Sequence, residues 1–154
     1  MSTDVVATKV SAQDRRNQYN RVVRIARLLS LLLSSVDFNV NRELLRTEQG
    51  AKKLGFKGDI SSFSYDADEG YCVIGCSWTV ELKAGRRKIG KCVATYEVIF
   101  DEIKGFDHDV IKIFAEHMGK SSTYSYFRSL FASLDWASDL NTPPLPIFKS
   151  FPNV

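Results

Sequence analysis

Two histidines and three cysteines are the residues of this 154-residue chain best suited to catalysis or metal binding. His108 and His117 stand nine apart. On one helix that is roughly 13 Å, at about 1.5 Å per residue, too far to share a metal. His108 lies between Asp107 and Asp109, where carboxylates could orient a general base. The same acids suit the first turn of an exposed helix, and that is the reading taken. Cys72 and Cys76 are four apart on one strand face, again roughly 13 Å, wider than a zinc pair allows. Cys92 falls near Trp78. An odd count with wide spacing argues against a disulfide framework and fits a reducing compartment. All three read as small, reduced, unligated core residues. No glycine-rich phosphate loop, nucleophile elbow or paired-cysteine motif occurs. Gly55 to Gly58 is too short to hold a phosphate. Asp66, Asp68 and Glu69 lack the remaining spacing of a calcium loop and read as a solvated turn. The expectation is a protein that is not an enzyme and uses no metal or cofactor.

The elements that position these residues follow from composition and period. Hydrophobic residues are 44% and charged residues 25%, which is ordinary for one globular domain and excludes a mostly disordered chain. The formal charge is +3, too small to argue for nucleic acid. Residues 1–36 carry six basic and two acidic side chains, net +4, and residues 37–154 carry fifteen and sixteen, net −1. The body therefore reads as nearly neutral. No stretch is long and apolar enough for a membrane helix. Leu28–Val36 fits a secretory signal poorly, although residues 5–36 have the Arg- and Ser-containing, acid-poor character of a transit peptide. A cytoplasmic location is expected.

Residues 1–10 show no period and are expected to be disordered, ahead of a single domain over 11–154. Ser11 and Asp14 have capping-box spacing. Val22, Ile25, Leu29 and Leu32 then follow a helical period, predicting a basic amphipathic helix over about 12–34. Val36, Phe38 and Val40 alternate with polar residues as a strand. Residues 42–58 read as a connecting segment, and Ile60–Tyr65 as a strand. Cys72 to Leu82 alternate along one long strand, and a second runs from Lys88 to about Asp101 with Cys92 to Phe100 alternating, so that residues 71–101 form a hairpin. A two-residue loop at Gly85-Arg86 would put their apolar faces on opposite sides. The spacing instead predicts a three- or five-residue loop with Gly85 at positive φ, pairing Trp78 with Cys92, Ile74 with Tyr96, Tyr71 with Ile99 and Ser77 with Val93. Asp107 or Asp109 can cap a helix. Gly119 is expected to break or kink it, and Ser121 or Ser122 to cap another. Pro143-Pro144-Leu145-Pro146 predicts an extended tail carrying Ile147, Phe148 and Phe151. The fold class is α+β, an antiparallel four-stranded sheet packed with helices.

Aromatic residues are 12% of the chain. A sheet covered on one face does not need Tyr71, Val73, Val93 and Ile99 on the other. With the first helix and the tail, that is more apolar surface than a monomer hides comfortably. It predicts a homo-oligomer interface, an extended apolar ligand, or both. Two other uses are open. A pocket between sheet and helices, lined by Trp78, Cys92 and Tyr96, would take a small molecule or lipid. Arg86, Arg87, Lys88 and Lys91 at the hairpin tip, with the arginines of the first helix, would touch phosphate backbones or anionic lipid, although a solvated edge is the plainer reading.

A strand such as Val36–Val40 opening the domain, long antiparallel strands, the helix segment Tyr124-Ser-Tyr-Phe-Arg128 and the Pro143–Pro146 tail together resemble the SecB export-chaperone family and its SecB-like relatives. Tyr126 and Arg128 match that family's aromatic-Pro-Tyr-x-Arg-Glu element. Ser125 and Ser129 replace its Pro and Glu. The resemblance implies an ATP-independent holdase that grips extended, non-native polypeptide in apolar grooves, assembled as a dimer or tetramer. Such a protein serves export or a dedicated partner such as an antitoxin. Tyr126 and Arg128 would then anchor the last helix. The polypeptide-binding residues expected are Phe38, Val40, Tyr71, Val73, Val93, Ile99 and Phe148. Nucleic acid is not an expected partner.

Overall fold

The computed structural model describes residues 11–149. The disorder expected of residues 1–10, and Phe151 of the tail, lie outside them. The elements run α1 (Ala12–Ile25), β1 (Arg27–Val40), α2 (Arg42–Thr47), β2 (Lys52–Asp66), β3 (Tyr71–Ala84), β4 (Arg87–Asp101) and α3 (His108–Ser138). One antiparallel sheet has the order β1-β4-β3-β2. The segment holding α2 thus carries the chain from one sheet edge to the other. The α+β class and the four-stranded sheet are as expected.

The first helix is shorter than expected. Ser11 caps α1 by accepting from the Asp14 amide at 3.1 Å. The helix ends at Ile25, and from Arg27 the chain is strand. Two bulges explain why β1 reads as a helix. Register shifts between Leu28 and Ser30, and between Leu33 and Ser35, each insert one residue. Leu28, Leu31, Leu33, Val36, Phe38 and Val40 therefore pair with Phe100, Val98, Tyr96, Ala94, Cys92 and Gly90 on one face. Their spacing of three, two, three, two and two mimics a helical stripe. The supposed connector 42–58 holds α2 and the first half of β2 instead. Its glycines conceal the strand. Gly58 faces Trp78, whose ring would lie within 2.4 Å of any Cβ placed there.

The hairpin satisfies both faces by a route the sequence reading rejected. Gly85 and Arg86 do form a two-residue turn, closed by Ala84 opposite Arg87, with Gly85 at φ 58°. A register shift between Leu82 and Lys83 then inserts Ile89 on the β4 side, buried, and restores parity. Trp78 pairs with Ala94 and Ile74 with Val98, two residues beyond the expected partners. Val73, not Tyr71, meets Ile99, and Thr79, not Ser77, meets Val93.

The two expected C-terminal helices are one. Asp107 caps α3, its carboxylate accepting from the Asp109 and Val110 amides. Ser121, Ser122 and Thr123 do not start a new helix. Their hydroxyls donate to the carbonyls of His117, Met118 and Gly119, four residues back. Gly119 lies inside the helix because it presses on the sheet, where a Cβ would meet Cys76 Sγ at 2.9 Å. α3 packs on β2, β3 and β4, and α1 packs on α3. The core between them runs from Val22, Ile74, Phe100 and Phe114 to Trp78, Ala94, Phe127 and Phe131. Trp78 donates its indole N–H to Thr123 Oγ1 at 2.8 Å, so this buried polar atom is satisfied.

Candidate functional site

The titratable residues are dispersed. His108 is exposed at the start of α3, with its ring edge against Phe63 and its Nδ1 3.9 Å from Asp109. His117 faces the other way, its Nδ1 2.9 Å from the Tyr19 hydroxyl of α1. Cys72, Cys76 and Cys92 are free and buried. Burial pushes each thiol up to about 11, so none is a thiolate near neutral pH. Among the described residues, no group of three or more His, Cys, Asp or Glu could hold a metal ion. Asp66 Oδ1 accepts from the Asp68 and Glu69 amides, which makes the acidic run a turn. Trp78, Cys92 and Tyr96 are buried together in one core cluster.

Apolar residues reach the surface in three places. The first is β1. Its paired face is covered by other residues at Leu31 and Phe38, but α3 lies over β2, β3 and β4, and the outer part of β1 stays open. Leu29 and Leu32 are each 58% exposed, and Leu28, Leu33 and Val36 are exposed beside them. This is an edge strand of 14 residues with free hydrogen-bonding groups and leucine side chains. β2, the opposite edge, carries Lys52, Lys53 and Lys57, the usual protection of a sheet edge.

The second place is the sheet face away from the helices. Tyr71 is exposed, while Val73, Val93 and Ile99 are half-buried along it, with Val73 and Ile99 paired. The third is a groove at the C-terminal end. Phe148 meets Trp78 edge-on at 5.2 Å and Tyr124 at 5.3 Å, and Phe56 stacks on Tyr124 at 5.9 Å. Leu145 of the tail is buried in the Trp78 cluster, and the neighbouring Pro146 carbonyl accepts from the Tyr124 hydroxyl. A cleft of about 440 Å3 flanks the tail at Trp136 and Pro144, and one of about 380 Å3 at Tyr124 and Ile147.

The expected binding residues thus do not form one site. Tyr71, Val73, Val93 and Ile99 share the open face. Phe38 and Val40 are half-buried on the helix side of β1, and Phe148 is in the aromatic groove. Sequence reading missed the leucines of β1, which were assigned to a helix, and Phe56, assigned to a loop. It also placed the anchor on the wrong aromatic. Tyr126 is 58% exposed and Arg128 is exposed, whereas Tyr124 is buried and holds the tail.

No protein-family model matches the sequence. No curated protein matches it with significance. Among solved structures, the SecB-like chaperone Rv1957 of Mycobacterium tuberculosis, in complex with a ChAD peptide from the HigA1 antitoxin, superposes with a TM-score of 0.67. That match has 16% sequence identity and covers 89% of this chain and 99% of the other. A Streptococcus agalactiae protein of unknown function matches at a TM-score of 0.34 and 10% identity, covering 80% of this chain and 97% of the other. By the first likeness, the antiparallel sheet β1-β4-β3-β2 with its one long covering helix is the SecB-like fold.

Proposed function

We propose that this chain is an ATP-independent, chaperone-like protein that binds extended or non-native polypeptide and associates with copies of itself. The observation that carries the reading is the open apolar edge of β1 on a fold shared with a chaperone whose structure includes a bound peptide. An unprotected edge strand gains main-chain hydrogen bonds by adding another strand, and exposed leucines gain by being covered. We assign β1 to pairing with a second copy. The open sheet face, with Tyr71, Val73, Val93 and Ile99, the flank at Phe38 and Val40, and the groove at Phe148 are then the client surfaces. Extended segments suit them, because their alternate side chains can lie against the apolar residues of the face and groove. Gripping of this kind requires no chemical step. The setting is cytoplasmic, in export or in service of a dedicated protein partner.

The test dilutes a denatured client into buffer with and without the purified chain, in the absence of ATP, and follows light scattering. Suppressed aggregation near a one-to-one ratio is expected, with light-scattering chromatography giving a dimer or tetramer. A monomer that leaves aggregation unchanged in excess would remove the reading.

A further inference from the structure

The fold gathers charge that is scattered along the sequence. Residues 52–57 and 81–91 hold eight lysines and arginines and one glutamate, a formal +7. The whole chain is only +3, so the remainder carries −4. β2 and β3 start and end together, with Lys52 opposite Ala84 and Lys53 opposite Lys83. Lys83 in turn faces Lys88 across the hairpin. One end of the sheet is therefore cationic. The other end carries the Asp66, Asp68 and Glu69 turn with Asp101 and Glu102.

Part of this charge is neutralised internally. The Glu81 carboxylate lies 2.9 Å from Lys83 Nζ, 2.9 Å from Lys88 Nζ and 4.0 Å from Lys91 Nζ. Arg87 pairs with Glu48 at 2.8 Å and Lys57 with Asp59 at 3.0 Å. Lys52, Lys53 and Arg86 are exposed and take part in none of the ion pairs found among the described residues. The open face, which Lys53 shares and at whose end Lys52 and Arg86 stand, has a cleft of about 600 Å3, lined by Lys57, Thr79, Glu81, Lys91 and Val93 next to Gly55. It runs on to the apolar residues of the same face.

We propose that this hairpin end is a docking surface for an acidic segment of the polypeptide partner, seated in the cleft beside Lys57 and Lys91, with Lys53 on the same face and Lys52 and Arg86 adding positive charge at the end of the sheet. The proposal rests on the polypeptide-binding reading and adds the class of client: extended apolar sequence flanked by Asp or Glu. A peptide fits better than a phosphate backbone. Glu48, Asp59 and Glu81 would repel evenly spaced phosphates, whereas a peptide places its carboxylates between them and its apolar side chains on Val93.

The test uses three labelled peptides with one apolar core, flanked by Glu, Gln or Lys, and reads fluorescence anisotropy with the full chain. The Glu peptide is expected to bind about tenfold tighter than the Gln peptide at low salt, with the Lys peptide weakest and the gap narrowing as salt rises. In the exposed variant Lys52→Ser/Lys53→Ser/Arg86→Ser the gap should shrink to about twofold. Glu81→Gln removes the internal competitor and should widen it. A Glu peptide that binds no tighter than the Gln peptide overturns the inference. So does a gap unchanged in the triple variant, or an oligothymidylate that outbinds the Glu peptide at equal salt. If the Gln peptide binds and the Glu peptide gains nothing, only this inference falls. If the Glu peptide binds and the Gln peptide does not, the apolar-groove reading falls and the acidic docking surface stands.

Discussion

At the scale of single residues, chemistry is dominated by burial. The three cysteines look reactive in a list and are inert in the fold, because the thiolate would have to form inside the core. Folded, they ionise near 11, against 9.0 for an ordinary thiol. Below pH 9 both folded and unfolded chains keep these protons, and the stabilisation is whole. Between about 9 and 11 the unfolded chain releases them first, so stability falls as pH rises through that window. Tyr96, pushed up to about 12 by burial, extends the loss to higher pH. The urea midpoint should therefore drop between pH 8 and 10.5, and a midpoint flat across that range would contradict the assignment. These residues were legible in sequence because strand alternation put Cys72, Cys76 and Cys92 on apolar faces. The anchor of the last helix was not, because Tyr124 and Tyr126 are interchangeable until the tail shows which of them it touches.

At the scale of elements, strand alternation was readable wherever a strand is regular, as in β3 and β4. It misled wherever a bulge inserts a residue. In β1 two insertions turned a period of two into a mixture of twos and threes. In the hairpin, one inserted residue, Ile89, made the rejected two-residue turn correct. The serines at 121 and 122 looked like caps because local spacing does not say whether a hydroxyl reaches forward to an amide or back to a carbonyl. The error in β1 hid the most exposed apolar element of the molecule. If that edge is the seam between copies, Leu29→Glu/Leu32→Glu should convert the assembly to monomer with little loss of fold. Both side chains are more than half exposed, so the substitutions leave no cavity. Light-scattering chromatography and circular dichroism read the two effects separately. A variant that stays oligomeric places the seam elsewhere.

At the scale of the whole molecule, the α+β class, the count of four antiparallel strands and the surplus of apolar surface were legible, whereas the strand order was not. The location of that surplus was legible in part, since Tyr71, Val73, Val93 and Ile99 share the open face as expected, whereas the exposed leucines of β1 were hidden. Residues 37–154 also read as neutral, since summing charge along the chain cannot show that the sheet sorts it into a basic and an acidic end. The groove and the open face are likewise products of topology, because Phe56 and Phe148 are 92 positions apart and meet only across Tyr124. The central claim is that this surplus surface grips extended polypeptide. The most direct measurement is the anisotropy of a labelled, unstructured peptide rich in Leu, Phe and Val, titrated with the full chain in the absence of nucleotide. Saturable binding with a Kd on the order of 1 μM is the result expected. An anisotropy that stays flat up to roughly 100 μM chain would contradict it.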